Sequence, residues 1–199
     1  MLAQSVIGVL ALQGDFERHL YRLNALGRPG REIRRVSDLE KLDGLIIPGG
    51  ESTTINKLID RFEMRIPLSK FIQTHPVWGT CAGMIMLAKN VDDSRVNPFG
   101  AVDISVIRNG YGRQVHSFSV DIDASLNGTV STLKASFIRA PLVKDYGDKV
   151  AILARYLSSP VLLAQDNCLV SSFHTELDDD LTLTKFFVDK FVLKQKKPA

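Results

Sequence analysis

The residues best suited to chemistry lie at Gly79-Thr80-Cys81-Ala82-Gly83, where a cysteine stands among small residues. The short apolar segment Pro76-Val77-Trp78 precedes it, and the helix-forming segment 84–89 follows it. This order predicts a strand, a sharp turn and a helix, with the Cys81 side chain projecting from the turn. The free N–H groups and partial positive charge of the helix start favour a thiolate over a thiol. The segment therefore predicts a cysteine nucleophile.

A cysteine nucleophile needs a base that takes its proton and a third group that orients the base. His174 follows the apolar run 168–173, which predicts a strand, and α/β sheets place their sites where strands end. Glu176 lies two residues further on, so in an extended chain it points the same way as His174 and can hold its ring. The spacing predicts a Cys81–His174–Glu176 triad, although spacing alone leaves an accidental trio open. The remaining histidines lie on an apolar helical stripe, before a proline and on a strand: His19, His75 and His116.

A tetrahedral oxyanion formed at Cys81 would need N–H donors. The N–H of Ala82, directly after the nucleophile, is one candidate. The loop Gly49-Gly50 is the second, because it follows a buried strand and precedes a helix, at the same predicted edge of the sheet. The alternative is that Pro48-Gly49-Gly50 is a plain turn without a function. Its position between a buried strand and a helix favours the oxyanion role.

The first ninety residues alternate strand and helix, which is typical of a parallel α/β sheet. The continuous apolar run at 6–12 predicts a strand buried on both faces, and the segment 42–47 predicts a second buried strand. Asp15 is placed to cap the helix after the first run. The arginine-rich segment 32–36 predicts a strand near the sheet edge.

The second half of the chain consists mainly of predicted strands, followed by a last helix after Asp178-Asp179-Asp180. Residues 92–98 are interpreted as a surface loop, so we expect a single domain over residues 1–199. Further strands are predicted at 101–108, 115–123, 136–139, 149–156, 161–165 and 168–173.

Composition limits the classes of function. The 199 residues are 45% hydrophobic and 24% charged with a net charge of +3, which is too small to indicate nucleic-acid binding. No segment is long and apolar enough to predict a membrane span, and no phosphate-binding loop or zinc-ligand spacing occurs, so neither a cofactor nor a metal is predicted. Only two cysteines occur, which favours a reducing, cytoplasmic location; Cys168, among apolar neighbours, is expected to be a buried structural thiol.

Six segments together resemble the class I glutamine amidotransferases, and in particular their branch of glutaminase subunits of pyridoxal 5′-phosphate synthase. Three resemble the wider family, and three resemble that branch. The segments are, in that order, 48–53, 79–84 and 172–177, then 12–15, 108–114 and 137–141. The resemblance runs essentially end to end.

The resemblance implies a flavodoxin-like, three-layer α/β sandwich with a mostly parallel central sheet. It implies hydrolysis of L-glutamine to L-glutamate and ammonia without a cofactor. The ammonia would pass through a channel to a partner synthase, a (β/α)8 barrel, in a large hetero-oligomer.

The resemblance also implies roles for individual residues: Cys81 as nucleophile, His174 as base and Glu176 as its orienter. Gln13 would belong to a surface on which the synthase docks and activates the glutaminase. Glutamine would be held by Gly50, Glu51, Ser52, Arg108, Ile138 and Arg139.

Two positions depart from the family pattern. Thr175 stands where the family usually has a proline between histidine and glutamate, which predicts a less rigid turn. Gly110 stands where alanine or serine is more frequent, which loosens the loop after Arg108 without removing a functional group.

Three alternatives stay open from the sequence. One is a glutaminase that serves another acceptor, such as imidazole glycerol phosphate synthase. Another is a general cysteine hydrolase on the same fold, against which the placement of Glu51-Ser52 and Arg139 for an amino-acid ligand argues. The last is a weakly catalytic regulatory subunit, for which Thr175 is the one feature in favour.

Overall fold

The computed structural model describes residues 5–110 and 117–194. The strands are β1 (Ile7–Leu10), β2 (Gly30–Ile33), β3 (Gly44–Ile47), β4 (Val77–Thr80), β5 (Ala88–Val91), β6 (Val102–Ile107), β7 (Ser117–Leu126), β8 (Thr129–Ile138), β9 (Leu142–Tyr146), β10 (Ala151–Tyr156), β11 (Ser159–Gln165) and β12 (Cys168–Ser171). The helices are α1 (Phe16–Ala25), α2 (Ser52–Arg61), α3 (Arg65–Thr74), α4 (Ala82–Leu87) and α5 (Thr182–Phe186), with a 3-10 turn at Val36–Leu39 and a π-helical turn at Phe187–Val192.

Within the described residues, the central sheet has nine strands in the order β2-β1-β3-β4-β12-β11-β10-β7-β8. The first five strands in this order run parallel, and the remaining neighbours pair antiparallel. A separate three-stranded sheet has the order β5-β6-β9. The predicted edge position of the arginine-rich strand is confirmed, since β2 ends the central sheet. No helix in the described part of the chain is long and apolar enough to cross a membrane.

Alternation along the central strands divides the core into two layers of side chains. In β3, Leu45 and Ile47 join a cluster with residues of α2, α3 and α4, whereas Ile46 joins a cluster with residues of α1 and α5. In β4, Val77 and Trp78 divide in the same way. Helices therefore cover both faces of the sheet, and the predicted three-layer α/β sandwich is confirmed.

The register of three neighbouring strands brings their following loops together. Ile47 of β3 pairs with Gly79 of β4, and Thr80 of β4 pairs with Ser171 of β12. Because these parallel strands end level with one another, the next residues of each chain segment meet at one edge. Those residues include Gly49, Cys81 and His174.

Several predicted elements differ from the structure. The helix after Cys81 ends at Leu87, because the following four residues pair with β6. The predicted strand 136–139 is the end of the longer β8, which pairs with β7 along its full length. Asp15 precedes α1 but makes no side-chain capping hydrogen bond. The predicted strand 115–123 is described from Ser117 onward, and His116 and most of the predicted 109–114 loop lie outside the described residues.

Candidate active site

The turn that carries Cys81 is strained and closely packed. Cys81 has φ 47° and ψ −101°, a conformation that costs a non-glycine residue on the order of 1–3 kcal/mol. Its N–H donates to the carbonyl oxygen of Ser171 across the sheet at 2.8 Å, which fixes the turn against β12. A Cβ at Gly83 would lie 2.0 Å from the carbonyl oxygen of Ile47, and one at Gly79 would lie 2.5 Å from the backbone of Gly83. The small residues around Cys81 are therefore required by the turn itself.

His174 is fixed by its backbone to the antiparallel part of the sheet. Its N–H donates to the carbonyl oxygen of Ser136 at 2.8 Å, and the N–H of Ser136 donates back to the carbonyl oxygen of His174 at 3.1 Å. The ring Nδ1 lies 2.6 Å from Oε1 of Glu176. Because Nδ1 faces Glu176, the opposite ring nitrogen, Nε2, is left for Cys81.

The charges of the three side chains favour an ion pair. Burial acts to lower the pKa of His174, but hydrogen bonds and charge interactions with Cys81 and Glu176 outweigh it and raise the pKa to about 10. Burial acts to raise the pKa of Glu176, yet contacts with His19 and His174 hold it well below its usual range. An imidazolium at His174 favours a thiolate at Cys81. The structure thus brings the three predicted triad residues together.

The Gly49-Gly50 loop packs against the histidine ring. A Cβ at Gly49 would lie 2.2 Å from Cε1 of His174, so only glycine allows this approach. The β1–α1 turn holds the loop from the other side: the N–H of Asp15 donates to the carbonyl oxygen of Gly49 at 3.2 Å. Gln13 accepts the N–H of Glu51 at its Oε1, at 2.8 Å. The predicted docking residue Gln13 thus contacts the predicted oxyanion loop.

A cavity of about 260 Å³ opens beside Cys81 and His174. Of the predicted oxyanion residues, Gly50 lines it, while Ala82 is buried directly after the nucleophile. All the residues predicted to hold glutamine line this cavity: Gly50, Glu51, Ser52, Arg108, Ile138 and Arg139. Gln13, Asp15, Ile85, Asn109 and Leu177 complete the wall.

Glu51 and Arg108 form an ion pair in the cavity wall. Arg108 Nη2 lies 2.7 Å from Glu51 Oε1. The other carboxylate oxygen of Glu51 accepts hydrogen bonds from Thr53 and Thr54, which caps α2. Burial raises the pKa of Glu51, but these hydrogen bonds outweigh it and lower the pKa to about 2. Glu51 is therefore an ionised carboxylate at neutral pH.

Asp93 also binds Arg108: the second terminal nitrogen of Arg108, Nη1, donates to Oδ2 of Asp93. The sequence does not predict this contact. Residues 92–98 form a loop as expected, but the Asp93 side chain turns inward to Arg108 and also pairs with Arg95 at 2.6 Å. No local pattern marks this contact, since it depends on the position of β6 next to the loop. Arg139 differs from Arg108: it is exposed, has φ 44° and makes no ion pair within the described residues.

His19 lies on the apolar stripe of α1, but its surroundings are more polar than that position suggests. Its ring Nε2 lies 3.5 Å from Glu176 Oε1 and 3.3 Å from Thr80 Oγ1. His75, by contrast, stacks on Phe71 with ring centroids 4.3 Å apart, away from the cavity.

Cys168 and Thr175 are both buried. Cys168 lies at the start of β12, and burial raises the pKa of its thiol to about 12, as expected for a structural thiol. Thr175 is 2% exposed, and its carbonyl oxygen accepts the N–H of Asp178 at 3.2 Å. The short contact of His174 with Glu176 is therefore made with threonine in the place of the family's proline.

The chain is similar to known proteins over most of its length. The model of the SNO glutamine amidotransferase family matches residues 9–193. The chain is 50% identical over 185 residues to the pyridoxal 5′-phosphate synthase subunit PdxT of Pseudothermotoga lettingae, covering 92% of this chain and 94% of that protein. It is 46% identical over 184 residues to the subunit of the same name from Thermosipho africanus, covering 92% and 97%.

Solved structures of similar fold include a glutamine amidotransferase. A crystal structure of a glutamine amidotransferase superposes with a TM-score of 0.87 at 41% identity, covering 93% of this chain and 98% of that one. A putative GMP synthase protein from Thermoplasma acidophilum shares the fold alone, with a TM-score of 0.68 at 18% identity over 98% of each chain. The resemblance inferred from the sequence motifs is confirmed: the chain belongs to the SNO glutamine amidotransferase family.

Proposed function

We propose that this protein is the glutaminase subunit of a pyridoxal 5′-phosphate synthase, which hydrolyses L-glutamine to L-glutamate and ammonia for a partner synthase subunit. One observation carries the chemical part of the proposal. Cys81 stands on a strained turn next to a histidine whose raised pKa keeps it protonated, and whose other nitrogen is bound to a buried carboxylate. This arrangement supplies a nucleophile and a proton donor that line the cavity, with a buried orienting group beside the histidine.

The reaction follows from the protonation state of the ion pair. The Cys81 thiolate attacks the side-chain amide carbon of glutamine, a C–S bond forms, and the carbonyl electrons move to oxygen. When this intermediate collapses, the C–N bond breaks and the proton on Nε2 of His174 goes to the departing nitrogen as ammonia forms. His174, now neutral, takes a proton from water, which attacks the thioester. The C–S bond breaks, glutamate leaves, and the thiolate–imidazolium pair is restored.

The oxyanion of each tetrahedral intermediate requires hydrogen-bond donors close to Cys81. We assign one to the N–H of Ala82 and the other to the Gly49-Gly50 loop. The close packing of Gly49 against the His174 ring supports this assignment, because it places the loop next to the reacting atoms. The turn containing Gln13 holds the loop in place, so a partner that moves this turn would change the donor geometry.

Charged groups of opposite sign suit the amino-acid end of glutamine. We assign the α-ammonium group to the carboxylate of Glu51 and the α-carboxylate to Arg108 and Arg139. Arg108 is already paired with Glu51 and Asp93, whereas the guanidinium of Arg139 has no ion-pair partner among the described residues. Gly50, Ser52 and Ile138 complete the wall around the substrate.

The acceptor of the ammonia is proposed from the relatives, which are named subunits of pyridoxal 5′-phosphate synthase. We further propose that the partner is a (β/α)8 barrel in a large hetero-oligomer, docked at the Gln13 turn. Two cysteines without a disulfide fit a cytoplasmic location, and the single central sheet fits one domain over residues 1–199.

The proposal is tested by measuring glutamate release from glutamine by the purified chain, with and without its cognate synthase subunit. We expect release to increase when the synthase is added, because docking acts on the turn that holds the oxyanion loop. No glutamate release with the synthase present would contradict the enzyme assignment. Stimulation by a different acceptor synthase, such as imidazole glycerol phosphate synthase, and not by this one would reassign the acceptor.

A further inference from the structure

The carboxylate of Glu176 is poorly provided with partners for a buried charge. The residue is 1% exposed. Its Oε1 is bound to Nδ1 of His174, while Oε2 has no hydrogen-bond partner among the described residues. A buried carboxylate is costly unless several donors surround it, so any further polar group near it has a large effect.

His19 is the second polar group that reaches this carboxylate. Its side chain is 1% exposed, and its Nε2 lies 3.5 Å from the same Oε1 that binds His174. Thr80 Oγ1 is 3.3 Å from that nitrogen, and the ring stands edge-on to Trp78, with centroids 5.5 Å apart and an interplanar angle of 81°. These contacts fix the ring orientation from β4, while Glu176 faces it from the segment after β12.

A second contact joins the same two segments one helical turn away. Arg22 of α1 lies 3.1 Å from Asp179, three residues after Glu176. Two acidic groups, Glu176 and Asp179, thus contact this part of α1, and the neutral Thr80 and Trp78 lie beneath it.

We propose that His19 is a positioning residue for the active site: the Nε2–H of its ring, shared between Thr80 Oγ1 at 3.3 Å and Oε1 of Glu176 at 3.5 Å, holds the carboxylate that orients His174. The proposal rests on the proposed function only for its kinetic readout. A series of buried polar contacts then runs from Cys81 through His174 and Glu176 to His19 of α1. Because α1 follows the turn that contains Gln13, these contacts connect the proposed docking turn to the proposed base, His174.

Replacement of His19 separates this role from simple packing. His19→Gln retains a side-chain N–H that can reach Glu176, whereas His19→Leu fills similar space without a donor. In the complex with the synthase, we expect His19→Leu to lower kcat by roughly 10-fold with KM changed by less than about 2-fold, and His19→Gln to stay within about 3-fold of the original kcat. His75→Leu, a matched change at a histidine outside the cavity, should leave both constants unchanged. A packing role predicts the reverse order, with His19→Gln at least as impaired as His19→Leu, and that order would overturn the proposal.

A double-mutant cycle with Glu176→Gln tests whether His19 acts through Glu176. If it does, His19→Leu lowers kcat by less than about 2-fold in the Glu176→Gln background, since the group that it positions has changed. The full roughly 10-fold loss in both backgrounds would show independent effects and would overturn the proposal.

Nitrogen NMR of the unaltered, histidine-labelled protein needs neither a variant nor turnover, so it can overturn the proposal even if His19→Leu does not fold. We expect the Nε2 of His19 to carry a hydrogen; an Nε2 without hydrogen would overturn the proposal. An unaltered protein with the Nε2 hydrogen but without glutaminase activity would instead contradict the proposed function. The two failures are therefore distinguishable.

Discussion

The two cysteines lie at opposite ends of neighbouring strands, and their surroundings differ far more than their burial. Cys81 follows the carboxyl end of β4 and is 6% exposed, while Cys168 begins β12 and is 1% exposed. At the carboxyl end, three strands end level and bring a glycine loop, a protonated histidine and a buried carboxylate together. At the amino end, apolar packing raises the pKa of the Cys168 thiol to about 12. The two thiols are similarly buried, so what distinguishes the proposed nucleophile Cys81 from Cys168 is the set of groups that the carboxyl ends of the strands bring next to it.

The largest expected difference between the two ends is in turnover. Cys81→Ala removes the nucleophile, so we expect glutamate release in the synthase complex to fall by roughly 10⁴-fold or more. Cys168→Ala removes a buried sulfur without touching the cavity, so we expect unchanged turnover and a loss of about 1–2 kcal/mol in the free energy of unfolding. Steady-state assays and chemical denaturation of both variants check this. Turnover retained by Cys81→Ala would show that Cys81 is not the nucleophile and would contradict the contrast drawn between the two cysteines.

The carboxylate at the carboxyl end is expected to have the next largest effect. Glu176→Gln leaves the shape of the site but takes away the charge beside Nδ1 of His174, so we expect kcat to fall roughly 10²- to 10⁴-fold. Melting temperature and near-ultraviolet circular dichroism of the variant control for loss of the fold. A folded variant with full activity would show that the contact between His174 and Glu176 is structural only.

The protonation of His174 predicts an unusual pH dependence. Its pKa is raised from 6.5 to about 10, so the proton needed by the leaving ammonia is retained between these values and is lost as pH rises through about 10. We expect the rate of thioester formation, followed by rapid quench, to stay high across that range and fall above it. In Glu176→Gln the fall should move to lower pH, because a negative partner of the imidazolium is gone. A fall in the unaltered protein near pH 6.5 would contradict the ion pair.

A smaller effect is expected from the turn that contacts the proposed oxyanion loop, Gly49-Gly50. Gly14 has φ 98°, and a Cβ there would lie 1.9 Å from the carbonyl oxygen of Gly49. Gly14→Ala should therefore displace the loop and lower kcat by roughly 10-fold, since an oxyanion donor is worth 10²- to 10³-fold when lost completely. Gly128→Ala is the matched control: Gly128 has φ 80° but nothing within 4 Å of an added Cβ. It should cost about 1–2 kcal/mol of stability and leave kcat unchanged. Equal effects of the two changes on kcat would show that loop geometry does not matter.

Local sequence patterns predicted the parts of the site that local structure determines. The turn at Cys81 needs small neighbours at Gly79 and Gly83 because backbone atoms approach there, and that need is visible in the sequence. The same holds for the apolar strands whose ends carry Gly49 and His174. The three-layer sandwich follows from these runs and the helices between them.

Contacts between distant segments could not be predicted in the same way. His19 has the spacing of a packing residue, and its contact with Glu176 arises only once α1 covers the sheet. Asp93 lies in a polar loop that looks solvated until β6 brings Arg108 next to it. The helix after Cys81 ends at Leu87 although the sequence continues with good helix formers, because pairing with β6 outweighs helix propensity. In each case tertiary packing supplies a partner that no local pattern contains.

The most direct test of Cys81 as the nucleophile is labelling of the protein, in complex with its synthase, by a glutamine-analogue electrophile, followed by peptide mass spectrometry. We expect one modification per chain, on Cys81, prevented by excess glutamine, with Cys168 unmodified until the protein is unfolded. Modification of Cys168 in the folded protein, or labelling of Cys81 that glutamine does not prevent, would contradict this assignment.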